Sequence, residues 1–382
     1  MTMKKTNLLA MAALMSACGS SAETPPPPTS AAPSPTAIPD PAPAQPLGGL
    51  QPLPAATFDR PEAMLGRRLF FDPRLSGDGT VACATCHQLD HGGAEARVTS
   101  LGIHQQVGPI NAPSVLNSSL NFVQFWDGRA ADLETQCAGP VTNPLEMGAT
   151  WDQAIAAISG DPTYVSVFDT VYGGEGAAAV TQEHVTGAIS EYERMLITPG
   201  RFDRFVGGDA SAMSDDERRG YALFTSVGCT SCHTGPGVGG GMYQRMGLVN
   251  DYFAECGRPL TDADNGRFNV THDEADRHRF KVPSLRNVAL TAPYFHDGSR
   301  ADLSDAVRTM GHYQLGRDLS ADQIRLIVAF LGTLTGDVPA DAALPTDTAT
   351  PEAPPTPVST PTGPPTTAAP SAPAVPPGGP RS

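Results

Sequence analysis

Basic clusters are missing from this sequence: 25 Lys and Arg stand against 40 Asp and Glu in 382 residues, and no basic run follows Lys4 and Lys5. A nucleic-acid partner is excluded on that ground, because phosphate binding is carried by grouped cations. No stretch alternates apolar and polar residues for long, which argues against a fold built from sheets. Proline is scarce where a core could form. Of 38 prolines, 12 lie in Pro25–Pro54 and 14 in Pro339–Pro380, leaving 12 for residues 55–335. The two ends, rich in Pro, Ala, Thr and Ser, have little to bury and are expected to stay solvated with polyproline-II character. The middle, about 281 residues, is long enough for two domains. It carries 22 basic against 34 acidic residues, so most of the formal charge of −15 belongs to the folded part. Such a field keeps a protein soluble and can steer a cationic partner.

Lys4 and Lys5, the apolar run Leu8 to Met15 and the small residues after it read as an export signal. The run is too short to span a bilayer. Leu14-Met15-Ser16-Ala17-Cys18 resembles a bacterial lipoprotein box, with Met15 where Leu is more usual. The expectation is a signal peptide over residues 1–18, acylation of Cys18, a proline-rich tether over 19–54 holding the core off a membrane, and a periplasmic address. Residues 336–382 are expected to be a disordered tail, and the sequence gives that tail no purpose.

Four of the seven cysteines form Cys83-Ala84-Thr85-Cys86-His87 and Cys229-Thr230-Ser231-Cys232-His233. Two C-x-x-C-H motifs in an exported chain point to covalent c-type haem. The spacing has a physical reason. Two thiols three positions apart reach the two vinyl groups of one haem, and the next residue offers an imidazole to iron from the same turn. A redox C-x-x-C needs no following His, and a zinc site would have to gather cysteine pairs 146 positions apart.

The chain also repeats itself. Residues 113–133 match 283–303 at a constant offset of 170, with ten of 21 positions identical. The motifs are only 146 apart, so the second unit carries 24 extra residues, drawn from Gly237–Met246 and the polar stretch Asp262–Asp276. Helix signals surround the motifs: Pro61 ahead of a helix to Phe70, capping boxes at Ser214/Glu217 and Ser320/Gln323, and an apolar face at Val185, Ile189, Tyr192 and Leu196. The expected fold is all-α, with two tandem cytochrome c-like domains: a haem domain over 55–205 and a second over 206–335.

With a proximal His in each motif, function turns on the sixth iron ligand. The first unit offers His91 and His104; the second offers Met242, Met246, Met310 and His312. A Met ligand raises the reduction potential and an open position admits an oxidant. One closed and one open haem would store an electron and deliver it to a reacting site.

Over Arg60 to Thr335 the chain resembles the bacterial dihaem cytochrome c peroxidase family. The resemblance is carried by Leu69-Phe70-Phe71-Asp72-Pro73-Arg74-Leu75-Ser76, both haem motifs, Asn111-Ala112-Pro113, Gln124-Phe125-Trp126-Asp127-Gly128-Arg129-Ala130, Asn143-Pro144-Leu145-Glu146-Met147, Leu290-Thr291-Ala292-Pro293-Tyr294-Phe295-His296 and Met310-Gly311. It implies that His87 holds the peroxide-reacting haem and that His233 with Met310 holds the high-potential haem receiving electrons. Trp126 would lie between them. Gln136 and Glu146 match distal-pocket residues, one orienting peroxide and the other moving its proton. Asn111, Thr291 and Pro293 match an inter-domain calcium site.

The pattern departs at one place. The His that blocks the resting peroxidatic haem in some members lies 16 positions after the proximal one; here that position is Ile103, and His104 follows. The sequence leaves open whether His104 reaches iron or the iron is free. His91 and His312 are expected to be exposed, and His296, aligned with Trp126, to border the second haem. An oxidising compartment permits a Cys137–Cys256 disulfide, but nothing in the sequence brings the two together.

The expected activity is reduction of hydrogen peroxide to water with electrons from cytochrome c or a cupredoxin. Two other functions fit the motifs: a dihaem cytochrome that only transfers electrons, and an oxidase of a partner protein's tryptophans. That last branch carries Tyr where Met310 stands. The sequence does not decide whether the chain forms a homodimer.

Overall fold

A computed structural model describes residues 49–174 and 176–344. The expected signal peptide, Cys18 and most of both proline-rich ends lie outside them. In chain order the helices are α1 (Arg60–Phe70), α2 (Cys83–Cys86), α3 (Leu133–Thr142), α4 (Trp151–Ser159), α5 (Pro162–Tyr172) and α6 (Gln182–Met195). They continue with α7 (Arg201–Val206), α8 (Asp215–Val227), α9 (Tyr252–Glu255), α10 (Phe268–Thr271), α11 (Leu303–Leu315) and α12 (Ala321–Gly332). Two three-residue strands, β1 (Tyr243–Arg245) and β2 (Arg279–Lys281), pair antiparallel with Tyr243 opposite Lys281. Both belong to the enlarged second unit.

The long helices start where side chains can cap them. Asp59 accepts from the Glu62 N–H with Pro61 in the first turn of α1, and Ser214/Glu217 and Ser320/Gln323 form reciprocal caps on α8 and α12. Each unit then crosses two helices at a glycine. A Cβ on Gly66 of α1 would stand 1.7 Å from the Ala188 carbonyl of α6, and one on Gly220 of α8 would stand 2.0 Å from the Leu326 carbonyl of α12. Only a residue without a side chain lets these backbones approach so closely.

The repeat is visible bond by bond. Asn117 and Asn287 both take left-handed backbone, at φ 60° and 61°. Their N–H groups donate to the Leu196 and Leu334 carbonyls at 2.9 and 3.1 Å. Both carboxamides then donate to one acceptor, the buried Thr198 hydroxyl, each at 2.8 Å. Thr198 therefore marks the pseudo-symmetry centre where the units meet. Next to it, Gly200 bridges Gly336.

The packing moves the expected boundaries. Helix α7, which the sequence assigned to the first unit, packs Phe202 and Phe205 on Tyr221 and Phe330 of the second. The folded part also extends past residues 55 and 335. Leu50 is fully buried and bridges Gly235, while the Gln51 carbonyl accepts from Arg286 at 3.0 Å. At the other end Ala342 is fully buried in the first unit's core, and its carbonyl accepts from the Tyr192 hydroxyl at 2.8 Å. Each terminal strap thus crosses to the unit remote from it in sequence.

Candidate functional site

Each C-x-x-C-H motif occupies one tight turn. Cys83 to Cys86 form α2 and the His87 N–H donates to the Cys83 carbonyl at 3.0 Å; Cys229 to Ser231 form a short 3-10 turn and the His233 N–H donates to the Cys229 carbonyl at 3.1 Å. This places two thiols and an imidazole on neighbouring positions of one turn. Burial pushes the Cys83, Cys86 and Cys229 thiols up to about 12, so they are uncharged at neutral pH.

The imidazoles are set for a metal. His87 Nδ1 lies 3.3 Å from the Gly93 carbonyl and His233 Nδ1 lies 3.2 Å from the Val238 carbonyl. A carbonyl only accepts, so Nδ1 carries the hydrogen and the Nε2 lone pair is left for iron. Burial lowers both pKa values against the pull of these carbonyls and of Pro113 and Pro283, bringing His233 to about 4. Phe70 and Phe224 flank the rings at 6.5 and 6.4 Å. Pinned neutral imidazoles beside paired thiols fit two covalent haems.

The second site opens on a cavity of about 340 Å³ lined by Cys229, Cys232, His233, Met246 and Met310 among mostly apolar residues. Met242 and His312 are not in that lining, and His312 is tied to Asp318 at 3.0 Å. Trp126 and His296 do border it, Trp126 edge-on to His296 at 6.3 Å between ring centres.

Near the first motif a cavity of about 260 Å³ has mixed polar and apolar walls. Phe125, Arg129, Ala130, Thr135, Gly139, Pro140, Asn143 and Glu146 line it, and the Arg129 guanidinium lies over the Phe125 ring at 3.4 Å. Asn143 Nδ2 donates to Glu146 Oε1 at 2.7 Å. Burial raises the Glu146 pKa, with the Asn143 bond and the charge of Arg129 pulling the other way. Gln136 is half-buried on α3, where its neighbours Thr135, Gly139 and Pro140 form the wall. Sequence reasoning gave Arg129 and Asn143 no role, although both stand in the stretches that carry the family resemblance.

His104 faces away. Its side chain is 67% exposed, with Nδ1 3.4 Å from the Asp78 carboxylate, at a backbone φ of 52°. Ile103 takes the inward place, 7% exposed in the first core. His91 is half-buried rather than exposed, its Nε2 3.3 Å from the Ala292 carbonyl of the other unit. Cys137 and Cys256 are both free thiols: Cys137 is buried in the first core beside Cys83, while the Cys256 thiol donates to the Phe253 carbonyl at 3.4 Å.

A short path of hydrogen bonds and backbone runs from Trp126 toward His87. The Trp126 indole N–H donates to the Asn111 carbonyl at 2.9 Å, and two residues on the Pro113 carbonyl faces His87. Asn111, Thr291 and Pro293 all line the second cavity. The Asn111 carboxamide nitrogen donates to the Arg97 carbonyl at 3.0 Å, turning its oxygen to another partner. One amide oxygen and two backbone carbonyls are hard donors of the kind calcium takes. Among the described residues, Asp264, His296 and Asp297 also lie at metal-binding spacing. There Arg258 already supplies the cation, at 2.6 Å from both Asp264 and Asp297.

The di-haem cytochrome c peroxidase family profile matches residues 60–211. The chain is 49% identical over 298 residues to cytochrome c551 peroxidase of Nitrosomonas europaea, covering 78% of this chain and 86% of that one. It is 46% identical to cytochrome c peroxidase Ccp of Escherichia coli, covering 75% of this chain and 61% of the longer relative. It is also 35% identical to methylamine utilization protein MauG of Methylorubrum extorquens, covering 77% and 84%. A crystal structure of a MauG-like protein associated with microbial copper homeostasis superposes with a TM-score of 0.67 at 27% identity, covering 80% of this chain and 96% of that one. With two prepared haem turns on a duplicated helical frame and relatives of this closeness, the chain belongs to the dihaem cytochrome c peroxidase family, oxidoreductases that act on peroxide.

Proposed function

We propose that the chain reduces hydrogen peroxide to two waters at the His87 site, with two electrons taken singly from a small periplasmic donor, cytochrome c or a cupredoxin, at the His233/Met310 site. The observation that carries this reading is the contrast between a cavity lined by Glu146, Asn143 and Arg129 and one lined by Met246 and Met310 without a carboxylate. Haem, when bound, supplies redox-active iron beside each proximal histidine.

The rest falls to the chain. His87 and His233 hold their Nε2 lone pairs toward the metal. Met310 offers a thioether that favours the reduced state. Glu146 takes a proton from one peroxide oxygen and returns it to the other, so that the leaving oxygen departs as water; its raised pKa suits that exchange. Asn143 steadies the carboxylate, and Gln136 orients the substrate. Trp126 and the Asn111–Pro113 segment span the space between the sites. With His104 turned out toward Asp78, that side chain would not cap a haem held by His87, and the site would react without prior reduction of the other haem. Asn111, Thr291 and Pro293 would hold calcium beside the second cavity and couple the two domains. A lipid at Cys18 would keep the enzyme at a membrane; among the described residues no helix is long and apolar enough to cross one.

Steady-state oxidation of reduced cytochrome c and of a reduced cupredoxin by peroxide tests the proposal. Turnover with either donor, together with a high-spin first haem in the EPR spectrum of the oxidised protein, is expected. Two low-spin irons and no turnover would leave an electron-transfer cytochrome. The second reading is oxidation of a partner protein's tryptophans, and Met310, in place of the Tyr expected there, speaks against it.

A further inference from the structure

The second cavity holds a cation without an anion. Lys281, at the end of β2, is 6% exposed and borders the cavity. Its backbone is fixed by the pairing with Tyr243 and by donation to the Trp126 carbonyl at 2.8 Å. Among the described residues no carboxylate offsets its charge. Burial alone acts on the amine, lowering its pKa to about 8, and no Asp or Glu is in the cavity wall. The other cation there, Arg286, is fully engaged by Asp203 at 2.8 Å and by the carbonyls of Pro236 and Gln51 at 2.8 and 3.0 Å. An ammonium buried without a counter-charge costs several kcal/mol, so the wall as it stands is incomplete.

Whatever fills the cavity must bring the negative charge. The proximal turn calls for a haem, whose only ionised groups are its two propionates. We propose that Lys281 is the buried ion-pair partner of a propionate of the C-terminal haem and so raises that haem's reduction potential. The inference rests on reading this cavity as a haem site. Ferric haem gains an electron on reduction, so a nearby fixed cation favours the reduced form, and removing it leaves a buried propionate unneutralised. Both effects move the potential down.

The test is a redox titration of the holoprotein, parent against Lys281→Met and Lys281→Arg, with haem counted by pyridine haemochrome. Two haems per chain in all three, a C-terminal potential lowered at least tenfold in reduction equilibrium (about 59 mV for one electron) in Lys281→Met, and recovery in Lys281→Arg are expected. An unchanged potential in a two-haem Lys281→Met protein overturns the proposal. A count of one haem in the parent overturns the site reading instead. Should Lys281→Met not assemble, a crystal structure of the parent holoprotein decides. Lys281 Nζ within about 4 Å of a propionate oxygen supports the pairing. A greater distance, or the amine on iron in place of Met310, refutes it.

Discussion

The first unit lines its cavity with Glu146, Asn143 and Arg129, while the second lines its own with Met246, Met310 and Phe280 and buries one lysine. The frames behind them are alike down to the glycine crossings and the twin asparagines on Thr198. One further substitution follows the same trend. Ala188 and Leu326 occupy equivalent places at the crossings, and by that register Glu193 of α6 corresponds to Leu331 of α12. Glu193 is 7% exposed, and its pKa is raised to about 8 by burial. The duplicated fold supplies a proximal histidine twice. A carboxylate lines one cavity, and none is in the wall of the other among the described residues.

Glu146→Gln should erase the chemical half of that difference. A loss of about 10²- to 10⁴-fold in kcat is expected with both haems retained, as for removal of a proton-transfer group; unchanged turnover would dissolve the distinction between the sites.

Glu193 sets a difference in how each half responds to pH. Its folded-state pKa lies above the ordinary value, so the folded protein binds that proton more tightly than the unfolded chain, and stability falls as pH rises from 4.5 to about 8. Glu193→Gln should remove a loss on the order of a few kcal/mol across that window. Denaturant titrations of the holoprotein at pH 5 and pH 9 would measure it, and parallel pH dependence in both proteins would count against a buried acid.

At the shared centre, Asn117→Ala and Asn287→Ala should each cost about 1–3 kcal/mol, because each strands buried backbone groups. The double variant should cost less than the sum, since both lean on the Thr198 hydroxyl. Strict additivity would mean that the two units do not couple there.

Met310→His should lower the second haem's potential by a factor of about ten or more in reduction equilibrium and slow electron uptake from the donor. Peroxide reaction of a protein reduced beforehand should change little.

Local chemistry was legible in the sequence. The haem turns, the capping boxes and the repeat are written in neighbouring residues, and the helices begin where Pro61, Ser214 and Ser320 said they would. What depends on distant contacts was not. Leu50 and Ala342 sit in proline-rich surroundings and carry too little apolar content to announce burial, yet both are fully covered. The burial of Lys281 depends on β1 and on Trp126, which fix its backbone from far along the chain. The side chain of His104 is decided by a positive φ, which no composition reveals. Glu146 was found through family likeness, since an isolated glutamate in a loop carries no signal of its own.

The crossed straps set an order of events. Residues 50–53 are made early, but Gln51 waits for Arg286, and the first core stays unfinished until Ala342 arrives to cover Tyr192. A chain made from its N-terminus therefore cannot close until its last folded residues are available. Both Cys-x-x-Cys-His turns belong to cores that stay unfinished until that late docking.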